Sequence, residues 1–155
     1  MQLENLNTQI EYQTKLIKNL AETEQYREQV KLLRSIPGIG ILIAMEILVE
    51  LFSIRRFASA SQLAAFMGLT PSQHSSGEHI RMGRITRNGK GHLRAMLTEA
   101  SWILIGKDQF LAKKYETLKH RAGAKRAIVA IARKLIVRVR RVLLDGVPYV
   151  SGKAA

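Results

Sequence analysis

Apolar residues recur along this chain at helical spacing, and the interruptions between periodic stretches mark where helices stop. Leu3, Leu6, Ile10, Ile17 and Leu20 fall on alternating steps of three and four, with Gln13 at one seam position. That spacing predicts a long helix from about 3 to 34 with a narrow apolar stripe. The seam loses register near Thr23 and Glu24, and Tyr26, Val30 and Leu33 resume it with an offset. A narrow stripe with a strongly polar far side fits a coiled-coil arm pairing with another helix; a helix lying on its own core is the alternative.

Pro37, Gly38 and Gly40 stop that helix, and the apolar run from Ile41 to Phe52 predicts a short buried one. Arg55-Arg56-Phe57 reads as a connector. Ser59 followed three residues later by Gln62 has the form of a capping box opening a helix over Ala60–Met67, ended by Gly68. Thr70 to Gly91 is rich in Ser, Gly, His and Arg and predicts an irregular basic loop, with Asn88-Gly89 offering a hairpin turn. Helical spacing returns in Leu93, Met96, Leu97, Ala100 and Leu104, then over a short segment from Gln109 to Leu118. A long helix from about Ala124 to Leu144 turns Ile128, Ile131, Leu135, Val139 and Val142 inward. Its other face carries Lys125, Arg126, Arg133, Lys134, Arg138, Arg140 and Arg141. The fold class is therefore all-α. A coiled-coil arm is expected over 1–34, a compact helical domain over 35–150 and a disordered tail over 151–155.

Charge narrows the choice of partner. The 155 residues carry a formal net charge of +13, a surplus that concentrates polyanions. Aromatics make up only 6%, which disfavours rows of stacking side chains for single strands. With no cysteine, disulfides, thiolate zinc sites and cysteine nucleophiles are excluded. The run Ile39–Phe52, broken by Glu46 and Glu50, is too short to cross a bilayer, so no membrane partner is expected. The first partner class is nucleic acid, bound through its phosphates.

Two segments carry candidate chemistry. Leu32–Leu48 resembles the helix-hairpin-helix module: an apolar pair, then Pro-Gly-apolar-Gly, then a helix. Glycines at 38 and 40 would let the backbone approach a phosphate, and amides at the following helix start would point at it. A plain helix-turn-helix corner needing glycine only for geometry is the alternative. In the second segment, Ser75 and Ser76 sit beside Arg81, Arg84, Arg87, Lys90 and Arg94, with no acid between Glu78 and Glu99. A hydroxyl in that setting could attack a phosphodiester while guanidinium groups stabilise the developing charge. A basic loop whose serines only cap helices or bond phosphate has the same composition.

From roughly Leu32 to Leu144 the chain resembles the C-terminal transposase domain of the serine/DEDD insertion-sequence transposases, the bridge-RNA-guided recombinases. The resemblance rests on Ile36-Pro-Gly-Ile-Gly, the stretch from Phe57 to Pro71, Ser75-Ser-Gly, Gly83-Arg-Ile-Thr-Arg-Asn-Gly and Leu93-Arg, in that order across roughly 32 to 144. It implies that Ser76 is the nucleophile, with Ser75 the fallback, and that a covalent phosphoserine link to DNA forms. It further implies a RuvC-like domain binding divalent metal (Mg) in a longer protein, a possible guide RNA, a homo-oligomer through the N-terminal helix, and action in the bacterial cytoplasm at the nucleoid. No strand pattern of a RuvC-like domain precedes Leu3, and no acidic constellation for metal stands out, so this chain is expected to be a piece that binds but cuts poorly alone, with no metal or cofactor of its own. Gly38 and Gly40 would hold a phosphate, Arg81, Arg84 and Arg87 would steady the transferred one, and Arg133, Arg138 and Arg141 would grip the backbone.

Other residues read more simply. Glu46 and Glu50 are expected to face solvent or to be paired. His74 and His79 could contact phosphate but match no zinc spacing. Trp102 and the methionines 45, 67, 82 and 96 are expected in the core. A non-catalytic nucleic-acid-binding module and an RNA-binding scaffold are the competing functions.

Overall fold

The computed structural model describes residues 1–76, 79–85 and 90–152, with the segment 71–85 described by its backbone. Among these residues seven α-helices follow in chain order: α1 Gln2–Ala21, α2 Arg27–Arg34, α3 Ile41–Leu51, α4 Ala60–Phe66, α5 Gly91–Lys107, α6 Gln109–Ala122 and α7 Ala124–Asp145. The helical class thus holds. Within the segment expected to be irregular, β1 Pro71–Ser76 pairs antiparallel with β2 His79–Ile85. The expected turn at Asn88-Gly89 lies outside the described residues, as do residues 153–155 of the expected tail.

The single helix expected over 3–34 is two. Glu22 and Thr23 close α1 with three-residue amide bonds to Asn19 and Leu20, and the Thr23 hydroxyl also donates to the Leu20 carbonyl at 2.6 Å. A Thr that bonds its own backbone competes with helix propagation, and the chain turns at the point where the apolar seam slips. The slip therefore has a structural meaning. Val30 and Leu33 of α2 are buried in the core, whereas Leu3, Leu6, Ile10, Ile17 and Leu20 of α1 remain exposed along their stripe.

α7 is the centre of the core. Its apolar side, from Ala127 to Val142, is buried and meets α2, α4, α5 and α6. Each fully buried Leu or Ile on that side, such as Leu135 and Ile131, contributes roughly 2 kcal/mol. Leu93, Leu97, Ala100 and Leu104 of α5 are buried as their spacing predicts, with Met96 half-buried beside them. Met45 and Met67 fill the core as expected. Trp102 does not: it is 42% exposed, with its ring edge-on to Tyr115 at 5.5 Å. It lies one position past the buried Ser101, off the inward face of α5. At α4 the Ser59 hydroxyl accepts from the Gln62 amide, and Gln62 Oε1 accepts from the Ala58 amide, one residue before the position an ideal capping box would use.

Beneath the helices a polar clamp closes the C-terminal end. Asp108, 1% exposed, caps α6 by accepting from the Leu111 amide at 3.1 Å, and its other oxygen accepts from the Tyr149 hydroxyl. Arg138 stacks its guanidinium 5.8 Å from the Tyr149 ring, and the Tyr149 amide donates to the Ser35 hydroxyl at 2.8 Å. Burial opposes ionisation of Asp108, but bonds from Tyr149, Leu111 and Gly152, together with Arg138, outweigh it and hold the carboxyl below its ordinary 3.8. Burial and the bond to Asp108 push the Tyr149 phenol above its ordinary 10.0.

The lowered carboxyl stabilises the fold fully above pH 3.8 and loses that contribution as pH falls through its folded value; the raised phenol contributes below pH 10.0 and loses it as pH rises. Asp108→Asn is expected to cost about 2 kcal/mol near neutrality. In urea unfolding, its deficit against the wild type should shrink as pH drops below 3.8. A deficit independent of pH would count against an ionised clamp.

Phe52 generates a second expectation. It is 92% exposed, at φ 58 and ψ −52, in a γ-turn closed by the Ser53 amide on the Leu51 carbonyl at 2.6 Å. Such backbone strain costs about 1–3 kcal/mol in a bulky residue, while added unfolded-state freedom of glycine costs only about 0.4–1. Phe52→Gly should therefore stabilise the chain by about 1 kcal/mol. Thermal unfolding that shows no gain would mean that the ring makes a compensating contact.

Candidate nucleic-acid interface

The turn between α2 and α3 is built by Ile36-Pro37-Gly38-Ile39, with the Ile39 amide donating to the Ile36 carbonyl at 3.1 Å. Pro37 in second place and Gly38 in third, at φ +92, are the residue choices of a type II turn. A Cβ on Gly38 would stand 2.3 Å from the Ala100 carbonyl oxygen. Gly38 is thus required twice, by its φ and by its backbone lying against α5. That contact is with protein, and it gives Gly38 a packing role against α5. Gly40 differs. It is exposed at the N-cap of α3, its backbone is extended, and a Cβ there would meet nothing within 4 Å. The first-turn amides of α3 have no intrahelical acceptor, so this is where the turn can meet an anion.

The serines lie at the end of the β pair. Cα register sets Ser76 opposite His79, Ser75 opposite Ile80 and His74 opposite Arg81, and Arg84 lies further along β2. Pro71 opens β1, a position where proline displaces no interior ladder bond. Arg87 falls outside the described residues.

The chain on either side of this hairpin is held against α3, α4 and α5. Where the chain enters, Arg94 Nη1 donates to the Gly68 carbonyl at 3.4 Å. Where it leaves, Lys90 pairs with Glu50 and lies 5.7 Å from the Phe66 ring centroid, while His92 stands 3.4 Å from Glu46. Arg56 stacks over Phe57 and Phe66 at 4.9 and 5.1 Å. Glu46 and Glu50 are therefore paired, as expected, and Lys90 and Arg94 are committed to the hairpin's base. Sequence reasoning did not join these partners, because each pair links elements far apart in the chain.

On α7 the expected basic residues divide. Arg133 is half-buried and Lys134 exposed; Arg141 is exposed and pairs with Asp145 at 3.4 Å. Arg140 reaches across to the Phe57 and Ala58 carbonyls at 3.2 and 3.1 Å. Arg138, expected to grip a backbone from the outer face, is only 3% exposed. It follows Lys134 by four residues and Leu135 by three, which rotates it to the edge of the buried stripe, 5.8 Å from the Tyr149 ring; its charge lowers the Asp108 carboxyl, and its Nε and Nη2 have no hydrogen-bond partner among the described residues.

Among the described residues, no three His, Asp or Glu side chains gather as a metal site. Among the described residues no helix is long and apolar enough to cross a membrane.

Comparison with known proteins places this arrangement. Residues 30–116, spanning the turn, the hairpin and α5, match the family described as Transposase IS116/IS110/IS902. The chain belongs to that transposase family. It is 34% identical over 111 residues to a transposase for insertion sequence element IS1111A from Coxiella burnetii, covering 69% of this chain and 30% of that protein. A putative transposase, y4pF/y4sB, from Sinorhizobium fredii is 31% identical over 139 residues, covering 86% of this chain and 36% of its own length. A pilin gene-inverting protein from Moraxella lacunata is 30% identical over 145 residues, covering 92% of this chain and 44% of that protein. The chain spans about a third of the first two relatives. In this IS116/IS110/IS902 family member, the matched stretch runs from α2 through the turn, α3, α4 and the β pair to α5 and most of α6.

The two glycines now make separable predictions. Gly38→Val should destabilise the fold by at least about 2 kcal/mol, through clash and forbidden φ together. Gly40→Val should leave the unfolding midpoint within about 1 kcal/mol of wild type yet weaken duplex binding several-fold. Unchanged binding by a folded Gly40→Val would remove the turn from the interface.

Proposed function

We propose that this chain is the serine-bearing, nucleic-acid-binding domain of a transposase, and that Ser76 forms a covalent phosphoserine link to DNA. The observation that carries the reading is the position of Ser76, in register with His79 at the end of a basic hairpin whose base is tied to α3, α4 and α5. A reacting strand brought to that hairpin meets a hydroxyl on a fastened support, which favours a repeatable approach.

In the proposed step the Ser76 oxygen attacks phosphorus and gives up its proton. The bond from phosphorus to the leaving strand's oxygen breaks, and that oxygen is protonated. One phosphodiester replaces another, so the link stores the bond energy for rejoining to an incoming hydroxyl without an external energy source. Arg81 and Arg84, on the strand facing Ser76 and its neighbours in register, would offset the added charge on phosphorus, with Arg87 beyond them. Gly40 and the start of α3 would hold a neighbouring phosphate, and Arg133 and Arg141 would contact backbone from α7.

Divalent metal belongs, in this reading, to a RuvC-like portion of a longer protein, since the carboxylates here do not fit such a centre: Glu46 and Glu50 are engaged by His92 and Lys90. No step above passes through it. The exposed stripe of α1, Leu3 to Leu20, supports pairing with a second copy as a coiled coil. A guide RNA is a further partner the reading admits.

The test is trapping of a protein–DNA adduct on denaturing gels, using nicked insertion-end DNA and this chain joined to the remaining domains of an IS116/IS110/IS902 relative. Ser76→Ala should abolish the adduct while leaving DNA affinity within about two-fold, and Ser75→Ala should retain it. Loss in Ser75→Ala alone would move the nucleophile by one residue. Adduct formation by the double variant would refute a serine link.

A further inference from the structure

A second basic surface lies away from the turn and its glycines, between the start of α4, the middle of α6 and the centre of α7. Ser61, Lys114, Arg133 and Lys134 line a groove of about 400 Å³ there, with Leu118 and Val137 among its apolar walls. Three cations share it and no carboxylate does. Among the described residues, none of the three side chains makes an ion pair or a hydrogen bond, and packing of three helices gathers them around one groove. Like charges gathered without a counter-ion repel one another, and an anion seated between them removes that cost.

The wall of the groove is fixed in place. Arg140, three residues past Val137 on α7, holds the Phe57 and Ala58 carbonyls and so pins the segment that leads into α4. The groove is of ligand-site size and its walls come from three different elements, so the cations are held near one another by packing. α4 begins at the groove and ends near the hairpin's foot, a helix of seven residues, about 10 Å at 1.5 Å per residue. A strand running along α4 would reach both.

We propose that Ser61, Lys114, Arg133 and Lys134 form a phosphodiester-binding groove that seats a nucleic-acid backbone one α4 length from the hairpin. The inference rests on the nucleic-acid reading above and adds the seat. Its chemistry is that of a polyanion: cations neutralise successive phosphates and the Ser61 hydroxyl donates to a phosphate oxygen. Such contacts position the strand and carry no sequence information.

The test compares three proteins: wild type, a groove triple variant (Lys114→Ala, Arg133→Ala, Lys134→Ala) and a charge-matched control on the far helices (Lys15→Ala, Lys18→Ala, Lys31→Ala). Affinity for a mixed-sequence DNA duplex and for an RNA hairpin is measured across a salt series. The groove variant should lose roughly 10–100-fold in affinity at low salt, and its slope of log affinity against log salt should become shallower by roughly 2–3. The control should lose far less. A loss on duplex only identifies the backbone as DNA, a loss on the hairpin only as RNA, and a loss on both as the phosphodiester common to them. Ser61→Glu provides a second probe that leaves the packed residues intact: a carboxylate in the first turn of α4 suits the helix, and it would occupy the seat of the phosphate. It should weaken binding at least several-fold. If wild type binds and both groove variants match the control, the groove proposal is overturned and the nucleic-acid reading stands. If wild type itself binds neither ligand, both fall.

Discussion

The apolar side of α7 is buried from Ala127 to Val142, and α2, α4, α5 and α6 are organised by packing on it. That one burial sets where everything else can go. It brings α5 close enough to the turn after α2 that only glycine fits at 38, and it places the start of α4 beside the middle of α6. It also sorts the cations of α7 itself. A helix with a wide apolar face leaves a limited arc for charge, so Arg133 and Lys134 emerge at the surface while Arg138 is drawn to the boundary and must be compensated. The clamp of Asp108, Tyr149 and Arg138 follows from that constraint, because a guanidinium with so little solvent needs a carboxylate and an aromatic face within reach.

Charge in this molecule therefore does two different jobs. One set of cations is internal to the architecture: Lys90 with Glu50, Arg94 with the Gly68 carbonyl, Arg140 with the carbonyls before α4, Arg138 in the clamp. These fasten the hairpin's foot and the approach to α4. Another set, Lys114, Arg133 and Lys134, lines the groove between α4, α6 and α7. A net charge of +13 by itself would have credited every one of them to a polyanion. The division matters for the proposed transposase reading, in which the hairpin would carry the serine and the groove would seat the strand presented to it.

Several features were legible before any coordinate. The buried face of α7 and the limits of α3 and α4 follow from apolar period and punctuation by Pro and Gly. The break after Ala21 was visible as a slipped seam, though periodicity alone carried the helix through it. Local composition does not reveal the β pair, because Ser, Gly and Arg have weak strand preference and cross-strand pairing is a property of two segments together. Trp102 looked internal because large aromatics usually are, yet its place on α5 turns it toward solvent.

What the sequence determined by itself was local: which stretches are helical, which face of each is apolar, where the chain must turn, and that a serine-bearing basic segment lies between two helices. Those are set by interactions within a few residues, so they can be read along one line. The tertiary structure decided the rest. Gly38 serves packing and Gly40 faces outward because Ala100, sixty-two positions away, lies against only one of them. Arg138 is internal and Arg133 is not because the packed neighbours of α7 cover one edge of the helix and spare the other. Contact between distant segments is governed by how their surfaces fit, and no spacing within either segment encodes that fit.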